Sequence, residues 1–322
     1  MIARRALCAL LALWLLLPAT LLAQQKRIGL LSPASAKAMA HLRDTFREGL
    51  ADVGLSEGRN YTMDARWAEG DASRLPALAR ELVASKPALI LAHGTTAAAA
   101  LKSATSTIPI VMVSVDDPVR AGFAKGLRRP GGNLTGVSSA MQTGERQMEM
   151  LREINPKLGV FAVVVNPANP FHDTAFRALE SDAKGRKLRA VRASIASARD
   201  VDKAFAALKK AKAQGVIVLE DPLFILAAPQ LVKAAGSARL PLLSAQSELT
   251  DAGGLASYGS NSVAVARRAA AYTAKVLNGS KVPEMPIEPP AKMDLVVNVK
   301  AARALKVAMP KDLVAKADRV IQ

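Results

Sequence analysis

Short apolar runs alternate with alanine- and leucine-rich stretches of helical period along almost the whole chain. The apolar runs are continuous rather than alternating with polar residues, which is typical of strands buried on both faces. Strands that alternate with helices in this way form a parallel sheet covered on both sides by helices. The chain is therefore predicted to be an α/β protein.

The alternation occurs in two series, and this predicts two similar lobes. The first series has predicted strands and helices in turn, at 27–31, 41–53, 61–67, 73–85, 88–92, 95–104 and 108–113. The second series follows the same order, at 160–165, 171–185, 188–193, 201–213, 216–219, 223–236 and 241–244. A length of 322 residues also fits two domains better than one.

Turn-rich segments predict three crossings between the lobes, as in a hinged clamshell. The run Arg129-Pro130-Gly131-Gly132-Asn133 precedes a strand at 134–138, and a similar glycine-rich segment lies at 253–259. A helix at 263–277 would return to the first lobe, and 283–290 would lead to a strand at 295–298 in the second. The predicted lobes are 24–135 with 260–288, and 136–259 with 289–322, each with a parallel sheet.

The first residues predict export. Arg4 and Arg5 precede an apolar run, and Pro18 and then Ala23 follow it, which is the order of a secretory signal peptide at 1–23. The run is too short to span a bilayer, so the protein is predicted to be periplasmic, with no stable membrane insertion after signal removal. Cys8, the single cysteine, lies in this segment. The mature chain would therefore have no disulfide, thiolate metal site or cysteine nucleophile.

The chain is strongly basic. Its formal charge of +17 falls to +15 when the two arginines of the signal peptide leave. Basic residues such as Lys203, Lys209, Lys210 and Lys212 are scattered along predicted helices, without aromatic residues between them. This pattern favours a solvated basic surface, and no nucleic-acid partner is predicted.

The candidate site residues follow predicted strands, because ligands of parallel sheets bind beyond the carboxyl ends of the strands. Hydroxyl groups and helix N-terminal amides in such loops can bind an anionic group. The polar residues at these positions in the two series are Ser32, Thr95, Thr96, Asp117, Asn166, Asp221 and Ser244.

Simpler interpretations of these loops stay open. Ser35 and Thr95 could be helix caps, and Asp116 with Asp117 could fix a loop rather than transfer a proton or bind a metal. His93 alone of the three histidines falls in a predicted ligand loop, and their spacing suits no metal site. No phosphate-binding loop, dinucleotide-binding fingerprint or nucleophile elbow is present, so neither a cofactor nor an enzyme activity is predicted.

Several runs together resemble the ABC-transporter substrate-binding proteins of the tryptophan/tyrosine-binding group. The most specific is Arg129-Pro130-Gly131-Gly132-Asn133-Leu134-Thr135-Gly136, supported in order by Gly94-Thr95-Thr96-Ala97-Ala98 and Leu255-Ala256-Ser257-Tyr258-Gly259. The resemblance implies a type I periplasmic-binding-protein fold with two Rossmann-like lobes, and a membrane permease as partner. It also implies ligand contacts from Ser32, Thr95, Thr96 and Asp117 in the first lobe and from Asn166, Asp221 and Ser244 in the second.

The expected ligand is an amino acid or a similar small organic solute. Phe171, Phe224 and Tyr258 are the aromatic residues expected to line its site. Two other functions stay open. One is a secreted α/β enzyme that uses Asp116 or Asp117, and the other is a sensory protein that passes its signal to a membrane receptor.

Overall fold

The computed structural model describes residues 25–139 and 143–322, so the predicted signal peptide lies outside the described residues. The strands are β1 (Lys26–Ser32), β2 (Tyr61–Trp67), β3 (Leu89–His93), β4 (Ile110–Val115), β5 (Leu134–Ser138), β6 (Val160–Val165), β7 (Arg189–Ser194), β8 (Val216–Val218), β9 (Leu242–Ser244), β10 (Ala256–Ser260), β11 (Ile287–Glu288), β12 (Met293–Asn298) and β13 (Arg319–Ile321). The helices are α1 (Ala40–Ala51), α2 (Leu75–Ala84), α3 (Thr95–Ala104), α4 (Thr143–Ile154), α5 (Pro170–Gly185), α6 (Val201–Lys210), α7 (Pro222–Leu226), α8 (Ala228–Ser237), α9 (Ser247–Asp251), α10 (Ser262–Leu277), α11 (Val299–Leu305) and α12 (Lys311–Ala315).

The strands form two sheets, one in each lobe. The first sheet has the order β11-β5-β4-β3-β1-β2, and the second has the order β13-β12-β10-β9-β8-β6-β7. All pairs are parallel except β10 with β12. The chain therefore has the predicted α/β architecture of two lobes with mostly parallel sheets.

Each sheet is covered on both faces, which explains the continuous apolar runs in its strands. Along β3, Leu89 and Leu91 pack with α1 and α10 residues, while Ile90 and Ala92 pack with residues of α2 and α3 on the other face. Alternate residues of one strand point to opposite sides of a sheet, so both sets must be apolar when both sides are buried.

The chain passes between the sheets after β5, after β10 and after β11. All five residues of β5 lie in the first sheet, so the predicted lobe boundary after residue 135 falls inside this strand. The predicted lobe limits otherwise stay a prediction.

The lobes touch each other along the cleft between the carboxyl ends of their strands. Gly94 has a φ of 79°, and a Cβ built on it would lie 2.7 Å from Cγ of Pro222 in the other lobe. Ile225 of α7 packs against Ala34 and Met39 of the first lobe. The structure therefore shows the two lobes closed on one another.

The prediction of one helix over 223–236 is wrong. Two helices, α7 and α8, replace it, with Ala227 between them. Pro229 lies in the first turn of α8, where its missing N–H costs nothing, whereas it would break the interior of a longer helix. The sequence interpretation also missed α4, which has the polar run Gly144-Glu145-Arg146-Gln147 in its first half.

Candidate ligand-binding cleft

A cavity of about 700 Å³, counting the part open to solvent, lies between the lobes. Its first-lobe wall is largely apolar and includes Met39, Phe46 and Trp67. The second lobe contributes Glu220 and Gln246, among others. The cavity is large enough for a small organic molecule, because most ligand pockets enclose about 300–1,000 Å³.

Local structure explains why the first-lobe residues face the cavity. Phe46 follows Arg43 by three residues and Leu42 by four on α1, so each of these two side chains lies beside Phe46 on one face of the helix. Trp67 is the last residue of β2, at the carboxyl end of its strand. An apolar wall and the charged side chain of Arg43 therefore stand side by side.

Arg43 is available to an anionic partner. Among the described residues, the one carboxylate within 4.0 Å of it is that of Asp44, with Nε 3.7 Å from Oδ1, and the side chain is 29% exposed. Its Nε is buried and makes no hydrogen bond within the described residues. A guanidinium in this state can bind a carboxylate without giving up another strong contact.

Glu220 is the only carboxylate in the lining of this cavity within the residues the structure describes. Its Oε2 is buried and accepts no hydrogen bond from described residues. Burial, and then the nearby Asp116, raise the pKa of Glu220 to about 8, although the Ser114 hydroxyl acts in the opposite direction. The carboxyl group therefore mostly keeps its proton at neutral pH, and a cation beside it would favour the ionised form.

Ser32 and His93 supply neutral polar atoms to the cavity. Ser32 Oγ lies 3.0 Å from His93 Nδ1 and accepts the amide of Ala34 at 3.2 Å. Burial lowers the pKa of His93 to about 4, so the ring is uncharged near neutral pH. The first lobe thus brings Arg43 as its charged group in this cavity.

Asp116 is held by three donors from both lobes. Its oxygens accept Thr95 Oγ1 at 2.9 Å, Ser139 Oγ at 2.5 Å and Asn169 Nδ2 at 3.1 Å. Asn169 Nδ2 also donates to Asp221 Oδ2 at 3.2 Å. A single side-chain amide therefore bridges a carboxylate of the first lobe and one of the second.

Asp221 caps α7 and is fully enclosed. It accepts the amide of Leu223 at 2.9 Å and Asn166 Nδ2 at 3.2 Å. Burial raises the pKa of Asp221, while these donors favour its charged form. The backbone amide of Asp221 donates to Gln246 Oε1 at 3.2 Å, which fixes one end of the Gln246 side chain beside the cavity.

The ABC transporter substrate binding protein family has a model that matches residues 27–321. This chain belongs to that family. A relative from Clostridioides difficile (strain R20291), described as a tyrosine-binding protein, is 27% identical over 282 residues, which cover 88% of this chain and 81% of the relative.

Solved structures agree with this assignment. A conserved domain protein from Vibrio cholerae is 29% identical, with a TM-score of 0.86, over 92% of this chain and all of the other. The ligand-free, open structure of a substrate binding protein with adhesive properties from Clostridium difficile is 27% identical, with a TM-score of 0.64, over 92% and 99%. An ABC domain from Streptococcus pneumonia in complex with L-Trp shares the fold, at 24% identity and a TM-score of 0.84, over 92% and 100%.

In this substrate-binding protein, the predicted site residues lie at different places in the cleft. Ser32 lines the cavity, while Thr95, Asn166 and Asp221 belong to the hydrogen-bond network around Asp116. Ser244 is near Gln246, and its Oγ donates to the carbonyl of Gln246 at 2.6 Å. The contacts of all these residues with a ligand stay a prediction.

Thr96 and Asp117 lie away from this cavity. Thr96 is buried on α3, and its hydroxyl has no partner among the described residues. Asp117 has a φ of 26°, and its Oδ1 accepts the amide of Arg120 at 3.0 Å. It lines a second cavity between the lobes, which Phe171 and Glu220 also line.

Two of the three expected aromatic residues lie outside these two cavities. Phe224 is completely buried, with its ring centroid 6.1 Å from that of His172. Tyr258 packs against the core of the second lobe. Phe46 and Trp67 form the aromatic wall instead, and the position of Trp67 at a strand end was the sequence signal that could have identified it.

Glu220 and Gln246 lie in loops that follow β8 and β9, yet neither was among the predicted contacts. No three side chains among residues 25–139 and 143–322 are arranged to bind a metal ion. Across the same residues, the helices are all too short or too polar to cross a membrane.

Proposed function

We propose that this chain is the exported receptor of an ABC importer and binds a free α-amino acid with an apolar or aromatic side chain between its lobes. The observation that carries this proposal is the composition of the cavity. Arg43 and Glu220 lie in its lining together with the apolar wall formed by Met39, Phe46 and Trp67.

Each part of an amino acid has a complementary group in this cavity. A carboxylate would pair with the guanidinium of Arg43, and an ammonium group with the carboxylate of Glu220. An aromatic or aliphatic side chain would bury its surface against Phe46 and Trp67. The tyrosine-binding relative and the structure with L-Trp support a ligand of this class.

Closure of the lobes would trap the ligand. The lower TM-score with the open, ligand-free relative, at nearly the same identity and coverage as the Vibrio cholerae structure, supports a difference in lobe arrangement. A ligand favours the closed state in proportion to its higher affinity for that state. The bridge from Asn169 to Asp116 and Asp221 would form only on closure.

Thermal unfolding of the purified protein in the presence of each of the common amino acids tests this function. A ligand present at about one hundred times its dissociation constant should stabilise the folded protein by about 2.7 kcal/mol. We expect one group of apolar or aromatic amino acids to do so, without chemical change in the ligand. Conversion of a compound to a product would instead favour an enzyme, and no stabilisation by any amino acid would contradict the proposed ligand class.

A further inference from the structure

The second lobe has a basic surface at the end remote from the cleft. In a parallel sheet, the turns that lead from each helix into the next strand all lie at the amino ends of the strands. Strands β8, β6 and β7 are neighbours at one edge of the second sheet. The turns that precede them therefore form one continuous surface.

Exposed basic side chains are concentrated in these turns and at the start of β7, and we name six of them the basal patch. They are Lys157, Lys187, Arg189, Lys209, Lys210 and Lys212. None of the six forms an ion pair with a described residue. The two acidic residues of the same turns are already paired, Glu153 with Arg146 at 2.7 Å and Asp182 with Arg186 at 3.2 Å.

Hydrogen bonds between the turns hold the basal patch together. Gln214 Oε1 accepts the amide of Gly159 at 2.7 Å and that of Val160 at 3.1 Å. Arg189 Nη2 donates to the carbonyl oxygen of Ala211 at 2.9 Å. The turns that carry the positive charges are thus hydrogen-bonded to one another.

The equivalent turns of the first lobe show that this charge is not a general property of helix ends. From the last helical turn to the start of β2, β3 and β4, they hold three basic residues, Arg59, Lys86 and Lys102, against four acidic ones, Glu48, Asp52, Glu57 and Glu81. The same count before β6, β7 and β8 gives eight basic residues against two acidic ones. Lysine at a helix C-terminus is stabilising through the helix dipole, but that effect applies equally to both lobes. The excess in the second lobe requires another explanation.

We propose that the basal patch binds the anionic phospholipid surface of a bilayer. Specific protein partners usually need a buried apolar centre, and the large apolar side chains that are exposed, Val53, Val119, Leu127 and Val263, all lie in other segments. Single-stranded nucleic acid would need aromatic side chains for stacking, and the six members of the basal patch are all lysine or arginine. A cluster of exposed lysine and arginine side chains without apolar or aromatic neighbours fits the diffuse negative charge of an anionic bilayer surface.

Binding through this end would hold the protein at the membrane and leave the cleft open to solvent. The attraction depends on charge alone, so salt screens it, with a Debye length of about 10 Å at 0.1 M salt and about 3 Å at 1 M. The inference goes beyond the proposed function and does not depend on the identity of the ligand in the cleft.

Co-sedimentation of the purified protein with vesicles tests the basal patch. The vesicles contain phosphatidylcholine, either alone or with one third phosphatidylglycerol. The variant Lys157→Gln/Lys209→Gln/Lys210→Gln removes three charges from the patch. Because each basic residue near an anionic bilayer contributes about a factor of five, binding to the anionic vesicles should fall about 100-fold.

The matched control, Lys37→Gln/Lys281→Gln/Lys316→Gln, removes the same charge from exposed positions outside the patch. It should retain affinity within about threefold, because the patch itself is intact. Circular dichroism and the midpoint of thermal unfolding establish that both variants fold. Equal losses in the two variants would assign the attraction to net charge and overturn the proposal. So would wild-type binding that is the same with neutral vesicles as with anionic ones.

Discussion

The two lobes share one architecture but bring different chemistry to the cleft. The first lobe contributes the apolar wall with Phe46 and Trp67, the cation Arg43 and the uncharged pair of Ser32 with His93. The second lobe contributes Glu220 to the cavity. A zwitterionic ligand with an apolar side chain would contact the groups of both lobes at once only when the lobes close.

The enclosed acids of the cleft differ in whether hydrogen-bond donors satisfy them. Asp221 and Asp116 are each satisfied by donors, whereas Glu220 stays without a partner for its Oε2 and holds its proton near neutral pH. A buried carboxyl oxygen without a donor normally destabilises a folded protein. Because Glu220 lines the cavity, a ligand bound as proposed would supply the missing donor.

The largest expected effect on ligand affinity comes from removing Glu220, the charged group that the second lobe contributes to the cavity. Glu220→Gln should weaken amino-acid binding by about 100-fold, because it removes the partner of a desolvated ammonium group. Isothermal titration calorimetry measures the change. Glu248→Gln is the matched control, since Glu248 is also a buried carboxyl with a raised pKa but lines a different cavity. Losses of the same size in both variants would contradict the assigned role of Glu220.

The pH dependence of ligand affinity is a second test of whether Glu220 binds the ammonium group. The pKa of Glu220 is about 8 without a cation beside it, so binding of an ammonium group must release a proton below that pH. Affinity should therefore rise about tenfold per pH unit from pH 6 towards pH 8 in the wild type. The Glu220→Gln variant should show a flat profile, and a wild-type affinity that falls over this range would have the wrong sign.

A substitution in the apolar wall of the first lobe should reduce affinity less, and by an amount that depends on the side chain of the ligand. Trp67→Ala should weaken the binding of an aromatic amino acid by about 30-fold and that of alanine much less, because the lost contact is with the ligand side chain. Trp67→Phe should restore most of the affinity. Similar losses for both ligands would show that Trp67 supports the lobe rather than the ligand.

Closure itself can be tested at the contact between the lobes. In Gly94→Ala the new Cβ would lie 2.7 Å from Pro222 Cγ, so the closed state should be disfavoured and affinity should fall about tenfold. Gly54→Ala is the control, because its φ of 81° is similar and a Cβ there meets nothing within 4 Å. Small-angle scattering with saturating ligand should show a larger radius of gyration for Gly94→Ala alone.

The smallest effect concerns the neutral histidine. The pKa of His93 is about 4 in the folded protein, below the ordinary value of 6.5, so the unfolded chain binds the proton more tightly and stability falls as the pH falls from 6.5 towards 4. Between pH 7 and pH 5.5, the free energy of unfolding of His93→Gln should therefore fall by about 1 kcal/mol less than that of the wild type. Urea unfolding at both pH values measures this, and an unchanged pH dependence would contradict it.

The scaffold could be predicted from the sequence because burial on both faces leaves a direct pattern. Strands β3, β4 and β6 are continuous apolar runs, and each was predicted to within two residues of its observed limits. The break between α7 and α8 was missed, although Pro229 marks it. Helix α4 was missed because it contains fewer apolar residues in its first turns.

The cleft was harder to predict, because its chemistry depends on contacts between residues far apart in the chain. Ser32 and Asp221 were predicted from their position after strands; Ser32 lines the cavity and Asp221 lies in the neighbouring hydrogen-bond network, while their contacts with a ligand stay a prediction. Glu220 follows a strand too, but its pKa is raised by burial and then by Asp116 of the opposite lobe, against the lowering effect of the Ser114 hydroxyl. Similarly, Phe46 shares its helical periodicity with ordinary core residues, and only the fold shows that it faces a cavity.

The most direct test of the account combines one ligand change with one protein change. Calorimetry at pH 8 compares an aromatic amino acid with its analogue that lacks the amino group, for the wild type and for Glu220→Gln. If Glu220 binds the ammonium group, removal of that group should cost the wild type about 100-fold and the variant less than about threefold. Equal losses in the two proteins would show that the ammonium group binds elsewhere and would contradict the proposed division between the lobes.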